Sequence, residues 1–304
     1  MVLNDGMLVY LFALVPAVIW GFTPVLDKRG MSYDGTALQA SLVVVVVDLT
    51  LVTSLLVLRG GSLLAGIDVS LAGLFLFAGA TGTALGRLAI FIGVDRVGAS
   101  INSAVVSARP LFATAFAFGL LGEPISLETG VGIVVLVTGL VVLSLAKGGD
   151  LSGWESRDLI YPLGSGALFA FGNVLRRFGL EMGGADVLQA VALNEAGALL
   201  VFLGYAAVRG TKGFRSADRR SYGYFAVSGA LTAIALVSLF SALALPAGQV
   251  AIVESLASTA PLFTTVFVYF LLQDLERVTR GVIAGAVLVV IGTALVTLGP
   301  AGAL

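Results

Sequence analysis

Five charged side chains interrupt long apolar stretches of this chain: Asp48, Arg87, Arg109, Glu195 and Glu254. A charge at the centre of a bilayer costs at least roughly 2.5 kcal/mol, so such residues pair or line a polar pathway. Asp48, Arg109 and Glu195 lie near the centres of their stretches, and Arg109 could pair with either carboxylate. Arg87 and Glu254 lie roughly two turns from a helix end, from which they could partly snorkel.

This set of charges fits a polar central cavity that binds charged or zwitterionic solutes, with a carboxylate able to titrate. It also fits structural ion pairs that lock helices together. We favour solute binding for the set as a whole, while either interpretation holds for a single residue. Asn102, a neutral amide within such a stretch, either joins helices or contacts the solute.

The motif Ser107-x-x-Pro110 recurs as Ser258-x-x-Pro261. Each proline removes a backbone hydrogen bond and frees a carbonyl in the preceding turn. In lipid that carbonyl needs a partner, so the motif faces protein or water. The two serines therefore either line a cavity or mark a packing kink at which the hydroxyl bonds back to its own helix.

The elements that must position these residues follow from composition. Hydrophobic residues make up 58% of the 304 residues, charged residues make up 12%, and mean hydropathy is +1.05. Apolar runs long enough to cross a hydrocarbon core recur along the chain, and in lipid they must be helices. The sequence predicts an all-α membrane protein with ten transmembrane helices, at 8–26, 35–58, 69–94, 98–121, 126–146, 159–175, 185–208, 222–245, 248–272 and 278–299.

The second half of the chain repeats the first at a shift of about 150 residues. Leu38-Gln39-Ala40 meets Leu188-Gln189-Ala190, and the two Ser-x-x-Pro motifs meet as well. The halves 1–147 and 148–304 are therefore predicted to be copies of one five-helix unit. Because five is odd, the second copy crosses the membrane inverted, an arrangement that recurs in secondary transporters.

Several kinds of chemistry are excluded or disfavoured. The chain has no Cys and no His, which removes catalysis and metal ligation by thiolate or imidazole but leaves a carboxylate-only metal site possible. We expect no cofactor. A net charge of −1 gives no general attraction to nucleic acid. An intramembrane enzyme would need a clustered set of catalytic residues, which this sequence does not show. A receptor or scaffold would be expected to carry a soluble domain, and we find none in this sequence. A solute channel is harder to separate from a transporter.

An ordered set of short motifs resembles the drug/metabolite transporter superfamily, in particular its EamA-type ten-helix proteins. The motifs are Trp20-Gly21 followed by Lys28, Arg96-Val-Gly-Ala-Ser100, Pro110-Leu-Phe, Leu121-Gly-Glu123-Pro-Ile-Ser126, Gly132 and Gly139, and in the second copy Pro261-Leu-Phe, Glu276-Arg-Val-Thr279, Gly285 and Gly292. The resemblance implies a multi-pass secondary transporter, embedded in cell-membrane lipid, that moves small organic solutes by alternating access, often outward. It does not fix the substrate.

Three further expectations concern the first helix and the orientation. Small four-helix relatives carry a proton-coupling glutamate inside helix 1, whereas Asp27 is expected here at the end of that helix, so proton coupling would use another carboxylate. We expect Trp20 to be an interfacial anchor rather than part of a cavity wall. Lys and Arg gather in the loops after odd-numbered helices, which places both termini outside, whereas the resemblance places both inside.

Overall fold

The computed structural model describes residues 5–112, 115, 127–146, 148–209, 217–248, 253 and 256–298. These form mainly helices: α1 (Asp5–Met31), α2 (Ala37–Leu58), α3 (Val69–Ala78), α4 (Gly86–Val97), α5 (Ala99–Val106), α6 (Leu127–Leu145), α7 (Ile160–Met182), α8 (Val187–Arg209), α9 (Arg219–Ala244), α10 (Ala260–Leu271) and α11 (Arg280–Leu298). A π-helical segment, Gly79–Leu85, joins α3 to α4 as one long helix, and a 3-10 turn, Ser156–Leu159, leads into α7. Two short strands, β1 (Gly149–Asp150) and β2 (Glu276–Arg277), pair antiparallel.

Helix lies within every one of the ten predicted apolar runs. Five described segments are long and apolar enough to cross a membrane: Met7–Met31, Ala37–Leu58, Val69–Val97, Val187–Val208 and Arg219–Ala244. Three shorter helices are also apolar: Leu127–Leu143, Ala260–Leu271 and Arg280–Leu295. The chain is therefore a mostly helical membrane protein, and the figure of ten crossings stays a prediction.

Several described helices begin at a side-chain cap from the preceding residue, but α5 does not. Thr36 caps α2, and Asp68 caps α3 by accepting from the Ser70 amide at 2.8 Å. Before α5 stands Gly98, whose φ of +90° suits glycine and whose missing side chain cannot cap. Glu276, brought close by the pairing of β1 with β2, accepts from the Ala99 amide at 2.5 Å instead.

Helices from one half of the chain pack directly against helices from the other half. Helix α1 packs against α9 and α10, α2 packs against α8 and α9, and α6 packs along α11. In the last pair Gly292 lies against Leu136, and Gly139 lies against Val289. Since residue numbers rise on α6 as they fall on α11, these equivalent helices run antiparallel, as inverted copies would.

A reciprocal glycine contact brings two helices of different halves together. A Cβ placed on Gly79 would lie 1.7 Å from the Asn194 carbonyl oxygen. A Cβ placed on Gly197 of α8 would lie 2.0 Å from the Leu76 carbonyl oxygen of α3. Each backbone thus occupies the space that a side chain on the other would need, which is how small residues permit close packing in membranes.

Both copies interrupt a helix at their Ser-x-x-Pro motif. The helical pattern gives way to a turn at residues 107–108, directly before the helical residues 109–112. In the second copy the same break falls at 258–259, directly before α10. The Ser107 carbonyl, at the first break, accepts a hydrogen bond from the Thr293 hydroxyl of α11 at 2.9 Å.

Candidate functional site

A central cavity of about 100 Å³ lies between the two halves. The first half contributes Trp20, Asp27, Arg87, Asn102, Ser107 and Arg109 to its wall, and the second contributes Phe169, Ser228 and Thr232. Aromatic rings, hydroxyls and charges thus surround one small polar space. Such a mixture of apolar wall and few polar groups is typical of a small-molecule site.

One guanidinium group beside the cavity binds two carboxylates. Arg87 Nη1 lies 2.9 Å from Asp48 Oδ2 and 3.0 Å from Glu195 Oε2, and the two acidic side chains are fully buried. Arg87 itself is only 6% exposed, so the expectation that it snorkels is wrong. The expectation that Arg109 would pair with one of these carboxylates is also wrong, since Arg87 binds both of them.

The ion triad extends into a second buried network. Asn194 donates to Glu195 Oε1 at 2.9 Å and to the Thr83 hydroxyl at 2.7 Å. Arg176 donates to Asn194 at 3.0 Å and to Thr83 at 2.8 Å. Thr83 belongs to the π-helical segment, so this network ties that segment to α7 and α8.

Arg109 lies in the cavity wall with its guanidinium carbon 5.9 Å from the centre of the Trp20 ring. That distance suits a cation–π contact, which gains strength where water is excluded. Trp20 is therefore part of the cavity wall, which was the alternative to the interfacial anchor expected from the sequence.

Asp27 is a cavity residue that sequence reasoning placed elsewhere. Helix α1 continues to Met31, so Asp27 lies within the helix rather than at its end. It is 4% exposed, lines the cavity and accepts a hydrogen bond from the Ser228 hydroxyl. Basic residues close α1 at Lys28 and Arg29, as is typical of a helix C-terminus, and this signal could have extended the predicted helix.

The remaining predicted residues have mixed positions. Ser107 lines the cavity and also donates to the Ser103 carbonyl at 3.0 Å, so both interpretations of its motif hold. Asn102 lines the cavity and is 1% exposed. Ser258 is fully buried, and its hydroxyl makes no hydrogen bond within the part of the chain that the structure describes. Glu254 lies outside the described residues.

Polar contacts close the end of the bundle at which α1 terminates. Lys28 forms an ion pair with Asp150 and donates to the Asp95 carbonyl at 2.9 Å. Beside them Glu276 accepts from the Ser100 amide at 3.2 Å and from its hydroxyl at 2.9 Å. Burial raises the pKa of the Glu276 carboxyl, while these hydrogen bonds and the charge of Lys28 act to lower it.

The second copy has a contact that corresponds to the one made by Lys28. Arg177, near the end of α7, donates to the carbonyls of Leu243, Gly248 (3.2 Å) and Leu245 (3.4 Å). Residues 22–28 and 171–177 share Phe-x-x-Val-Leu followed by two polar positions, so Arg177 corresponds to Lys28. Each cation therefore donates to at least one backbone carbonyl oxygen at or just after the end of the third helix of its own copy.

These features define a multi-pass membrane protein whose two halves enclose a polar cavity. The model of the EamA-like transporter family matches the chain twice, at residues 7–145 and 158–298. The chain belongs to the EamA-like transporter family, which confirms the resemblance inferred from its motifs. The members of this family are transporters rather than enzymes.

One relative and one solved structure show how far the similarity extends. An uncharacterized transporter of Clostridium kluyveri is 29% identical over 133 residues, a match that covers 43% of this chain and 42% of that protein. The chain thus covers less than half of the length of this relative. A crystal structure of a protein aligns with a TM-score of 0.67 at 16% identity over 95% of this chain and 96% of the other. At that identity the alignment supports the fold alone.

Proposed function

We propose that this protein is a secondary transporter that moves small organic solutes across the cell membrane, outward, by alternating access around the central cavity. The observation that carries the proposal is the shared wall of that cavity. Arg109 and Asn102 come from the first half, whereas Ser228 and Thr232 come from the second. A site built from two inverted copies can open to either side when the helices on its two sides rock about it.

Within the cavity we assign solute contact to Arg109, Asn102, Ser107 and Arg87. Asp48 and Glu195 act through Arg87, because their carboxylates hold its guanidinium from behind the cavity wall. Ser258 and Glu254 belong to the corresponding stretch of the second copy and are proposed to complete the wall from that side. A titrating carboxylate would allow proton coupling.

Counterflow in proteoliposomes tests this function. Liposomes loaded with an excess of unlabelled solute should accumulate labelled solute transiently, because a carrier exchanges one for the other. A channel, the second candidate, would only equilibrate the label, and this result would contradict alternating access. The control is a preparation of empty liposomes with the same lipid composition.

A further inference from the structure

Two hydrogen-bond acceptors in the cavity wall lack a donor within the described residues: Asp27 Oδ1 and Asn102 Oδ1. Their side chains are almost fully buried, since the two residues are 4% and 1% exposed. Leaving a buried acceptor without a partner is unfavourable, and more so for a charged one. Two such acceptors beside one cavity indicate a ligand that brings donors of its own.

The carboxyl group of Asp27 makes no ion pair within the described part of the chain. Its sequence neighbour Lys28 binds Asp150 and the Asp95 carbonyl instead. Arg87 acts on Asp27 electrostatically but has its ion-pair contacts with Asp48 and Glu195. The Ser228 hydroxyl supplies one neutral hydrogen bond, so no cation of the described residues contacts the Asp27 carboxyl group directly.

The corresponding position in the second copy shows what a purely structural buried charge looks like here. When residues 22–28 are aligned with 171–177, Asp27 corresponds to Arg176. Arg176 is 1% exposed and donates to three side chains, Asn194 among them. Side-chain acceptors thus surround Arg176, whereas Asp27 lines the cavity with one oxygen that has no donor among the described residues.

Resting on the transport function proposed above, we propose that the cavity receives solutes carrying a protonated amine, whose ammonium group binds to Asp27 and Asn102. An ammonium group offers three donors and one positive charge, which suits a carboxylate and an amide oxygen together. A neutral hydroxyl group would supply only one donor and no positive charge. The ring of Phe169 in the same wall also favours a cation over a neutral group.

Binding to the purified protein tests the proposal. The chain has two tryptophans, so in a Trp154→Phe background the fluorescence of Trp20 reports on the cavity. The probes are small amines matched with amine-free analogues, namely ethanolamine with ethylene glycol and butylamine with butanol. We expect the amines to bind more tightly than the alcohols, and Asp27→Asn to weaken amine binding about tenfold or more.

Two further variants make the result specific. Asn102→Ala should also weaken amine binding, by a smaller factor, because it removes an uncharged acceptor. Asp218→Asn makes the same charge change on an exposed residue that caps α9, where asparagine caps equally well, and should leave binding unchanged. Gel filtration in detergent establishes that each variant is folded.

Three results would overturn the amine site. They are binding of no amine by the parent protein, equal binding by Asp27→Asn, and an effect of Asp27→Asn that follows pH or Na⁺ alone, which would make Asp27 a site for a coupling cation. The transport function fails separately. Amine binding without counterflow would contradict the carrier function but support the amine site. Undiminished counterflow of an amine in Asp27→Asn would support the carrier function but contradict the amine site.

Discussion

Asp48 and Glu195 lie in different halves of the chain and bind the same nitrogen atom of Arg87, at 2.9 and 3.0 Å. Neither carboxylate is exposed, so the guanidinium group is what makes their burial tolerable. The contact therefore joins helix α2 of one copy to helix α8 of the other.

Removing Arg87 should destabilise the fold strongly. Arg87→Met leaves two buried carboxylates side by side without their cation, and breaking a buried pair in this way costs about 3–5 kcal/mol. Thermal unfolding in detergent would show a clearly lower melting temperature. Adding Asp48→Asn and Glu195→Gln to this variant should restore part of the lost melting temperature, because no buried charge of the triad is then left unpaired.

The matched control for that prediction is Arg157→Met, because the ion pair of Arg157 with Glu155 is exposed. Exposed pairs contribute little to stability, so this variant should unfold close to the parent temperature. Equal melting temperatures for the two methionine variants would show that the buried triad does not stabilise the fold.

Replacing Arg109 should abolish transport and leave the protein folded. Arg109→Ala removes a cation from the cavity wall and a contact with Trp20, while the triad around Arg87 stays intact. Counterflow of a transported solute should fall to the level of empty liposomes, whereas Arg59→Ala, at the exposed end of α2, should retain it. Full activity of Arg109→Ala would remove this residue from the site.

Two glycines of one long helix should respond oppositely to alanine. Gly79→Ala places a methyl group against the Asn194 backbone, and such overpacking costs about 1–3 kcal/mol or more. Gly73→Ala meets open space and should be neutral or slightly stabilising, since alanine favours helix. Melting temperatures of the two variants check this, and similar losses for both would argue against the close approach.

Glu276 should make stability fall as pH rises. Burial raises the pKa of its carboxyl above an ordinary value of 4.5, so the folded protein holds this proton more tightly than the unfolded chain does. Its contribution is therefore largest below pH 4.5 and declines as pH rises through the folded-state pKa. Glu276→Gln should remove that decline in unfolding measurements across this range.

Asp274, two residues away, provides a control of opposite sign. A hydrogen bond with Arg29 lowers the pKa of the Asp274 carboxyl below its ordinary value of 3.8. Its contribution is present above that value and is lost as pH falls through the folded-state pKa. The stability of Asp274→Asn should therefore fall below that of the parent protein only at pH values above the acid range. The same pH trend for Asp274→Asn and Glu276→Gln would contradict these assignments.

The sequence predicted the helices well because apolar length is a local property, and it predicted the repeat because Ser107-x-x-Pro110 recurs. It predicted the cavity residues Arg109, Asn102 and Ser107 but not Asp27, since Pro24 and the polar residues after it suggested the end of a helix. The sequence did not predict the ion pairs of Arg87, because its partners lie 39 and 108 residues away along the chain. The position of a residue along its helix does not determine which cation two carboxylates share.

The reciprocal contact of Gly79 with Asn194, and of Gly197 with Leu76, has a mechanical consequence. Two backbones in direct contact leave no room for one to slide past the other, so we expect α3 and α8 to move together although they come from different copies. A boundary between moving parts would therefore not follow the duplication in the sequence. Alternating access, as proposed above, would then require moving parts that are assembled from pieces of both copies.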